Sequence, residues 1–169
     1  LAVRIAAEVH SFDLQKYMPK KMIHETDAFT QYAYVAAAEA LAMAGKKDGE
    51  RSGENARMSD DPDRSAGIGL PADPDQMGIV MGTAMAGVAT TAATQEILTN
   101  VGPRFVPRIL GNIAAAQIAI AHGITGHSVT LSTACASGGD AVSAAAMLLQ
   151  ADEADAVLAV GAESILCPL

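Results

Sequence analysis

The stretch HSVTLSTACASGGDAVSAAAMLLQ, residues 127–150, joins a predicted strand to a predicted helix at one cysteine. This junction is the most informative part of the chain for the fold class. Its first residues are typical of a buried strand, and its last residues, rich in Ala, Leu and Met, predict a helix that ends near Gln150. The residues around Cys135, between the two, are almost all small. Where a parallel strand runs into a helix, the carboxyl edge of the sheet meets the helix amino end, so we expect Cys135 at that edge.

Other parts of the chain predict further strands and helices. Apolar runs predict strands at MGIVMGTAM, residues 77–85, and ADAVLAVGAE, residues 154–163, while LAVRIAAEV, residues 1–9, could be a short strand or a hairpin arm. Helices are predicted over 27–44 (capped by Thr26 or Asp27, ended by Gly45), around 90–98, and over 107–122 (opened by Pro107, stopped by Gly123). This alternation predicts a parallel α/β sheet with crossover connections.

Residues 46–76 differ in composition from the rest of the chain. They carry many charges, no aromatic residue, and frequent Gly, Pro, Asp and Ser, which predicts a solvated, flexible loop. The chain opens without an initiator Met or a signal peptide, and it stops straight after a strand-like run. We therefore interpret residues 1–169 as part of one domain of a longer protein, with the charged loop inside it.

Composition argues against several classes of function. The formal net charge is −8, whereas a nucleic-acid-binding protein needs a basic face to neutralise phosphates. No apolar run is long enough to span a bilayer, and no metal-ligand spacing occurs. Two cysteines could form at most one disulfide, which favours a reducing, cytoplasmic setting.

Cys135 is the candidate nucleophile. The first-turn N–H groups of a helix lack internal partners and carry partial positive charge, so they favour the thiolate form of a nearby thiol. The same groups can stabilise an oxyanion that forms on an attacked carbonyl. A lone cysteine among apolar residues is more often a small core residue, and position and composition leave both interpretations open. Cys167 has no strand-to-helix context, and we interpret it as structural; none of the four histidines is paired with Cys135 in sequence.

Four motifs stand in the order in which one known family has them. They are TDAFTQYAYVAAAEAL, GPRFVPRILGNIAAAQIAI, STACASGGDAV and ADAVLAVGAES, residues 26–41, 102–120, 132–142 and 154–164. Together they resemble the β-ketoacyl-[acyl carrier protein] synthases, closest to the synthase II type and its polyketide relatives. The third motif resembles the one that holds the family's active-site cysteine. The resemblance covers nearly all of the chain except the charged loop.

The resemblance implies the thiolase fold, two similar halves layered as α-β-α-β-α, with part of the first half present here, in an enzyme that works as a homodimer. Cys135 would accept an acyl chain from acyl carrier protein as a thioester. Malonyl carrier protein would then lose carbon dioxide, and its carbanion would attack that thioester. Two histidines and a lysine of the family's second half assist, and no cofactor is implied beyond the phosphopantetheine that carries the substrates.

The resemblance also assigns Leu110, followed by Gly111, to an acyl pocket near the dimer interface; the alternative is an ordinary core leucine. The chain starts after the family's first strand. We therefore expect the strands that begin near Met77 and Asp155 to lack a neighbour each.

Two other functions stay open. A thiolase has the same fold and a Cys-Ala-Ser-Gly nucleophile motif, although the preceding Ser-Thr-Ala and the GPR stretch favour the synthase. A non-catalytic partner, such as the chain-length subunit of a polyketide synthase, characteristically lacks the nucleophile, so Cys135 argues against it. The sequence separates neither fatty-acid from polyketide use nor one acyl length from another.

Overall fold

A computed structural model describes residues 9–10, 13–45, 70–95 and 101–166. The helices are α1 (Lys20–Glu25), α2 (Ala28–Ala44), α3 (Val88–Gln95), α4 (Phe105–Ile109), α5 (Ile113–His122) and α6 (Ser137–Gln150). The strands are β1 (Met77–Gly82), β2 (Ser128–Leu131) and β3 (Ala156–Gly161). Short 3-10 turns occupy Leu14–Lys16, Pro74–Gln76 and Ala134–Ala136.

The three strands form one parallel sheet in the order β2-β1-β3. β1 is the central strand: its Ile79 is paired with Ser128 of β2 and with Leu158 of β3. Every residue of β1 is buried, as the continuous apolar run MGIVMG requires for a strand that is covered on both faces.

Helices cover the two faces of the sheet, and the side chains of β1 alternate between them. Ile79 and Met81 point into the larger core, which contains residues of α2 and α5. Val80 points to the opposite face, where it packs on Ala141 and Ala145 of α6. The described residues therefore form three layers, α-β-α.

Local sequence signals explain both ends of α2 and the carboxyl end of α5. The Asp27 side chain accepts a hydrogen bond from the Phe29 N–H at 3.2 Å, as an N-cap does, and its other oxygen accepts from the Thr90 N–H at 2.8 Å. Gly45 follows the last residue of α2. Gly123 ends α5 in the left-handed conformation, with φ of 70°. These three predicted boundaries are confirmed.

The predicted helix over residues 107–122 is wrong in one respect, because two helices occupy the region. Pro107 is the third residue of α4, where its missing N–H costs no intrahelical bond, and is not the first residue of a long helix. Leu110 then adopts an extended conformation, with φ of −70° and ψ of 132°, and α5 begins at Ile113. The break lets Gly111 lie against Thr83, beyond the end of β1.

The prediction that the strand from Met77 lacks a neighbour is also wrong, since β1 is paired on both sides. β3, the strand from Asp155, has β1 on one side and no second partner among the residues that the structure describes. Residues 1–8 and 46–69 lie outside the described residues, and so do most of the possible first strand and most of the predicted loop over 46–76. The limits of the domain and of the loop stay predictions.

Candidate active site

Cys135 lies in a tight turn between β2 and α6, at the carboxyl edge of the sheet. It is the middle residue of the 3-10 turn Ala134–Ala136, and it is exposed. Ala134 has φ of 53°, a left-handed conformation that costs a residue with a side chain about 1–3 kcal/mol. The expected position at the strand-to-helix junction is confirmed, although Cys135 precedes α6 and does not belong to its first turn.

The hydroxyl of Ser137, the first residue of α6, holds this turn together. It accepts a hydrogen bond from the Thr133 N–H at 2.9 Å and donates one to the Ala134 carbonyl at 2.7 Å. The Thr133 hydroxyl donates to the Asp140 carboxylate at 2.5 Å, which adds a second bond between the two ends of the turn. The backbone on both sides of Cys135 is therefore fixed by side chains of its own segment.

The N–H groups around Cys135 are not equally available. The Ala136 N–H donates to the Thr133 carbonyl at 3.2 Å. The Cys135 N–H makes no backbone hydrogen bond with another described residue. It is therefore a group in this turn that can donate to an oxyanion formed beside the sulfur.

Glycines let α6 approach the sheet closely enough to bring the turn to the strand ends. A Cβ on Gly82 of β1 would lie 2.1 Å from the Ser137 carbonyl oxygen, which no real structure tolerates. A Cβ on Gly161 of β3 would lie 3.2 Å from the Cα of Gly138. The amino end of α6 therefore rests directly on backbone of β1 and β3.

Leu110 and Gly111, the predicted pocket residues, lie at the same edge of the sheet. A Cβ on Gly111 would be 3.5 Å from Thr83 Cγ2 and 3.7 Å from Thr130 Cγ2, so Gly111 borders the carboxyl ends of β1 and β2. Leu110 is 45% exposed, so it is not a core residue of the described chain. Two clefts found in the described part of the chain lie elsewhere, beside Thr90 and Arg108.

Two of the four histidines, His127 and His122, have partners away from Cys135. His127 lies beside Glu153, with 3.4 Å between Nε2 and Oε2. His122, at the end of α5, is buried beside the Tyr34 ring, with 5.9 Å between the ring centroids. Burial lowers the pKa of His122 and raises the pKa of Tyr34 to about 12. No Cys–His pair is formed by these two residues.

At this edge, sequence reasoning missed Glu163, and it noted Ser137 only as one of the small residues beside Cys135. The signal for Glu163 was its position: it is the first polar residue after β3, and the carboxyl ends of parallel strands meet at one edge. Cys167 lies outside the described residues. Within the described ranges, no cluster of His, Cys, Asp or Glu is arranged to hold a metal ion, and no helix is long and apolar enough to cross a membrane.

Comparison with known proteins decides the family. The sequence profile of "Beta-ketoacyl synthase, N-terminal domain" matches residues 5–169. The chain belongs to the β-ketoacyl synthase family. The four motifs are thus confirmed as motifs of a β-ketoacyl synthase amino-terminal domain.

Individual β-ketoacyl synthases show how far the likeness extends. The chain is 30% identical over 173 residues to 3-oxoacyl-[acyl-carrier-protein] synthase 2 of Vibrio cholerae serotype O1, an alignment that covers 99% of this chain and 37% of that protein. It is 30% identical over 168 residues to the protein of the same name from Staphylococcus aureus strain N315, covering 96% of this chain and 36% of the relative. The chain thus spans little more than a third of the length of these relatives.

Solved ketosynthase structures share the fold. One is a type II polyketide synthase acyl-carrier protein in complex with its ketosynthase bound to the hexaketide (TM-score 0.68, 22% identity, 94% of this chain and 41% of that chain). Another is the ishigamide ketosynthase/chain length factor (TM-score 0.65, 24% identity, 93% and 40%). The predicted α/β, thiolase-like fold is confirmed.

Proposed function

We propose that the protein containing this chain is a condensing acyltransferase, a 3-oxoacyl-[acyl carrier protein] synthase, in which Cys135 accepts the acyl chain. The observation that carries the proposal is the place of Cys135: an exposed thiol in a fixed turn at the carboxyl edge of the sheet, whose own N–H makes no backbone hydrogen bond with another described residue. Family membership supports the reaction class.

The proposed first step is transfer of an acyl group. The Cys135 thiolate attacks the thioester carbonyl of an acyl chain on acyl carrier protein, and the Cys135 N–H donates to the oxyanion that forms. The carbonyl re-forms as the phosphopantetheine sulfur leaves, and that sulfur takes up the proton that the Cys135 thiol lost. The acyl chain is then bound to Cys135 Sγ as a thioester.

The proposed second step forms a carbon–carbon bond. Malonyl carrier protein loses carbon dioxide, and the electron pair of the broken bond becomes a carbanion that attacks the Cys135 thioester. The 3-oxoacyl chain leaves on the carrier, and Cys135 is released as a thiolate. By the family resemblance, two histidines and a lysine of the second half assist decarboxylation, and the enzyme works as a homodimer. The low cysteine count supports a cytoplasmic setting.

Mass spectrometry of the intact protein tests the role of Cys135. After incubation with acyl carrier protein bearing an acyl chain, or with an epoxide-type synthase inhibitor, we expect the adduct on Cys135. Cys135→Ala should abolish acyl transfer with an unchanged melting temperature, since an exposed sulfur contributes little to packing. Cys167→Ala is the matched control and should retain activity; an adduct on Cys167 would contradict the proposal.

The same variants test the other candidate functions. A chain-length-factor-like partner would support condensation by its ketosynthase equally well with Cys135→Ala, because it uses no nucleophile. A thiolase-type enzyme would acylate Cys135 from an acyl-coenzyme A and not from the carrier protein. The match to the synthase profile over residues 5–169 favours the carrier protein.

We also propose that Leu110 lines the acyl pocket, with Gly111 beside it. Leu110 is exposed in this chain and lies at the same edge as Cys135, which favours a contact with a substrate or a neighbouring surface over a role in the core. Leu110→Phe should slow reaction with long primers more than with short ones and change the melting temperature little. A uniform loss of rate with a lowered melting temperature would indicate a packing role instead.

A further inference from the structure

The carboxylate of Glu163 binds the loop that follows β1. Its Oε2 accepts hydrogen bonds from the N–H groups of Ala84 and Met85, both at 2.7 Å, and the Thr83 hydroxyl lies 3.1 Å away. Two successive backbone N–H groups that point at one oxygen form a concave site for an anion. Charge-assisted bonds of this kind are shorter and stronger than neutral ones.

This contact determines the shape of the loop. Thr83 is buried, and its Oγ1 accepts from the Ala86 N–H at 3.3 Å. Ala86 has φ of 50°, a conformation that persists only where neighbours hold it. Without Glu163, the N–H groups of Ala84 and Met85 would lose their acceptor and the loop would lose its main constraint.

The loop in turn supports the segment that carries Cys135. The Ser132 hydroxyl donates to the Ala84 carbonyl at 3.1 Å. The hydroxyl of Ser137, which closes the turn around Cys135, lies 3.3 Å from the Thr83 carbonyl. The loop therefore touches the chain on both sides of the cysteine.

The other side of the loop borders the proposed acyl pocket. Thr83 and Ala86 are two of the three residues that a Cβ on Gly111 would meet, at 3.5 and 3.7 Å. A shift of the loop would therefore displace both the backbone that contacts the Cys135 segment and the side chains that border Gly111.

We propose that Glu163 is a positioning residue for Cys135: its carboxylate holds the loop over residues 83–86, and the loop holds the Cys135 turn. Among the described residues, the Glu163 carboxylate accepts hydrogen bonds from residues 83–85 and from the Ser164 N–H, and none from Cys135. For an effect of Glu163 on acyl transfer, the inference rests on the proposed function. The contact of Glu163 with the loop would also govern the reactivity of the Cys135 thiol toward a simple reagent.

Three variants of the intact protein separate geometry from charge. Glu163→Gln keeps the length and one carbonyl acceptor, Glu163→Asp keeps the charge on a shorter side chain, and Glu163→Ala removes the contact. If the length of the side chain matters more than its charge, the rate of acyl transfer to Cys135 in Glu163→Gln should stay within about threefold of the wild-type rate. Asp and Ala should lose about tenfold or more in the rate of acyl transfer to Cys135 at saturating carrier protein, because small displacements of a reacting group are costly.

Alkylation of Cys135 by iodoacetamide supplies a readout that does not depend on the proposed function. We expect the same order of rates, wild type, Gln, then Asp and Ala, at a temperature where each variant is folded. Glu153→Ala removes an exposed carboxylate before β3 and is the matched control, expected to stay within about twofold of the wild type.

The outcomes are distinct. Rates for Asp that equal or exceed those for Gln, or rates for all three variants within about twofold of the wild type, would overturn the positioning role. Should Ala fail to fold, the comparison of Gln with Asp still decides. If the wild-type protein is alkylated on Cys135 but never acylated by the carrier, the proposed function is contradicted. The alkylation rates of the variants then decide the positioning role by themselves.

Discussion

At the scale of single residues, two of the three non-glycine residues with positive φ among the described residues lie at the carboxyl edge of the sheet, and a buried histidine lies at the end of α5. Ala86 and Ala134 both have positive φ, near 50°, and each follows a strand of the sheet by a few residues. Their hydrogen-bonded neighbours, Thr83 and Ser137, are buried and hold the backbone in place. His122 is also buried, and its Nε2 has no hydrogen-bond partner among the described residues.

His122 predicts a dependence of stability on pH. Its pKa is lowered from 6.5 by burial, so the unfolded chain takes up a proton near pH 6.5 while the folded chain takes it up only at lower pH. Between these two values the unfolded state binds more protons, and stability falls as the pH falls. The contribution is fully present above pH 6.5. We therefore expect the melting temperature of the intact protein to drop as the pH is lowered through this window.

A leucine substitution isolates the effect of this histidine. His122→Leu should show a smaller drop in melting temperature between neutral and mildly acidic pH than the wild type. His127→Leu changes an exposed histidine and should leave the drop nearly unchanged. Equal drops in the wild type and in His122→Leu would show that burial of His122 does not govern this part of the pH profile.

At the scale of elements, the important contact is that of α6 with β1. The face of β1 that α6 covers carries Gly78, Val80 and Gly82, and the glycine nearest the carboxyl end meets the first residue of α6. Glycine is needed there because backbone of the helix occupies the space of a side chain. The depth at which α6 lies on the sheet thereby sets the place of the Cys135 turn.

A methyl group at Gly82 tests this contact. The added Cβ of Gly82→Ala would overlap the backbone of Ser137 and Gly138, so α6 must shift, at a cost of about 2 kcal/mol or more. We expect a lowered melting temperature and slower alkylation of Cys135 by iodoacetamide.

Gly139→Ala is the matched control for that substitution. Gly139 lies in α6 with no atom within 4 Å of its added Cβ, and alanine favours a helix by up to about 1 kcal/mol over glycine. The control should be as stable as the wild type or more so. If Gly82→Ala has the same melting temperature and the same rate of Cys135 alkylation as Gly139→Ala, α6 is not held against β1 as described.

At the scale of the whole molecule, the sheet and α6 expose surfaces that a folded protein normally covers. β2 and β3 each have one edge without a strand partner among the described residues. The outer face of α6 exposes Val142 and Met147, each more than 60% exposed. Unpaired strand edges and exposed apolar patches both favour association with other surfaces.

Residues 1–169 expressed alone should therefore be poorly folded and inactive. We expect amides of β3 to exchange with solvent faster than those of β1, which is paired on both sides, and we expect aggregation through the outer face of α6. Hydrogen exchange, light scattering and a malonyl decarboxylation assay check these outcomes. A monodisperse, protected and active product would show that the exposed surfaces need no cover.

The sequence by itself determined the features that depend on residues close together in the chain. Apolar runs located the three strands, caps located both ends of α2 and the carboxyl end of α5, and the small residues between β2 and α6 located Cys135. The order of the four motifs identified the family, because each motif is a short run of neighbouring residues that can be recognised in the sequence. These signals are local, so no knowledge of the packing was needed.

The tertiary structure alone decided the features that depend on distant residues. The central place of β1, the break at Leu110 and the contact of Glu163 with the Ala84 N–H arise between segments as much as 79 residues apart. Chain periodicity carries no information on which strand lies beside which, or on which backbone N–H groups remain unpaired after packing. The place of the Cys135 turn between β2 and α6 was predictable from the sequence. The buried contacts that hold the turn were not, because they depend on how α6, β1 and the segment after β3 pack together.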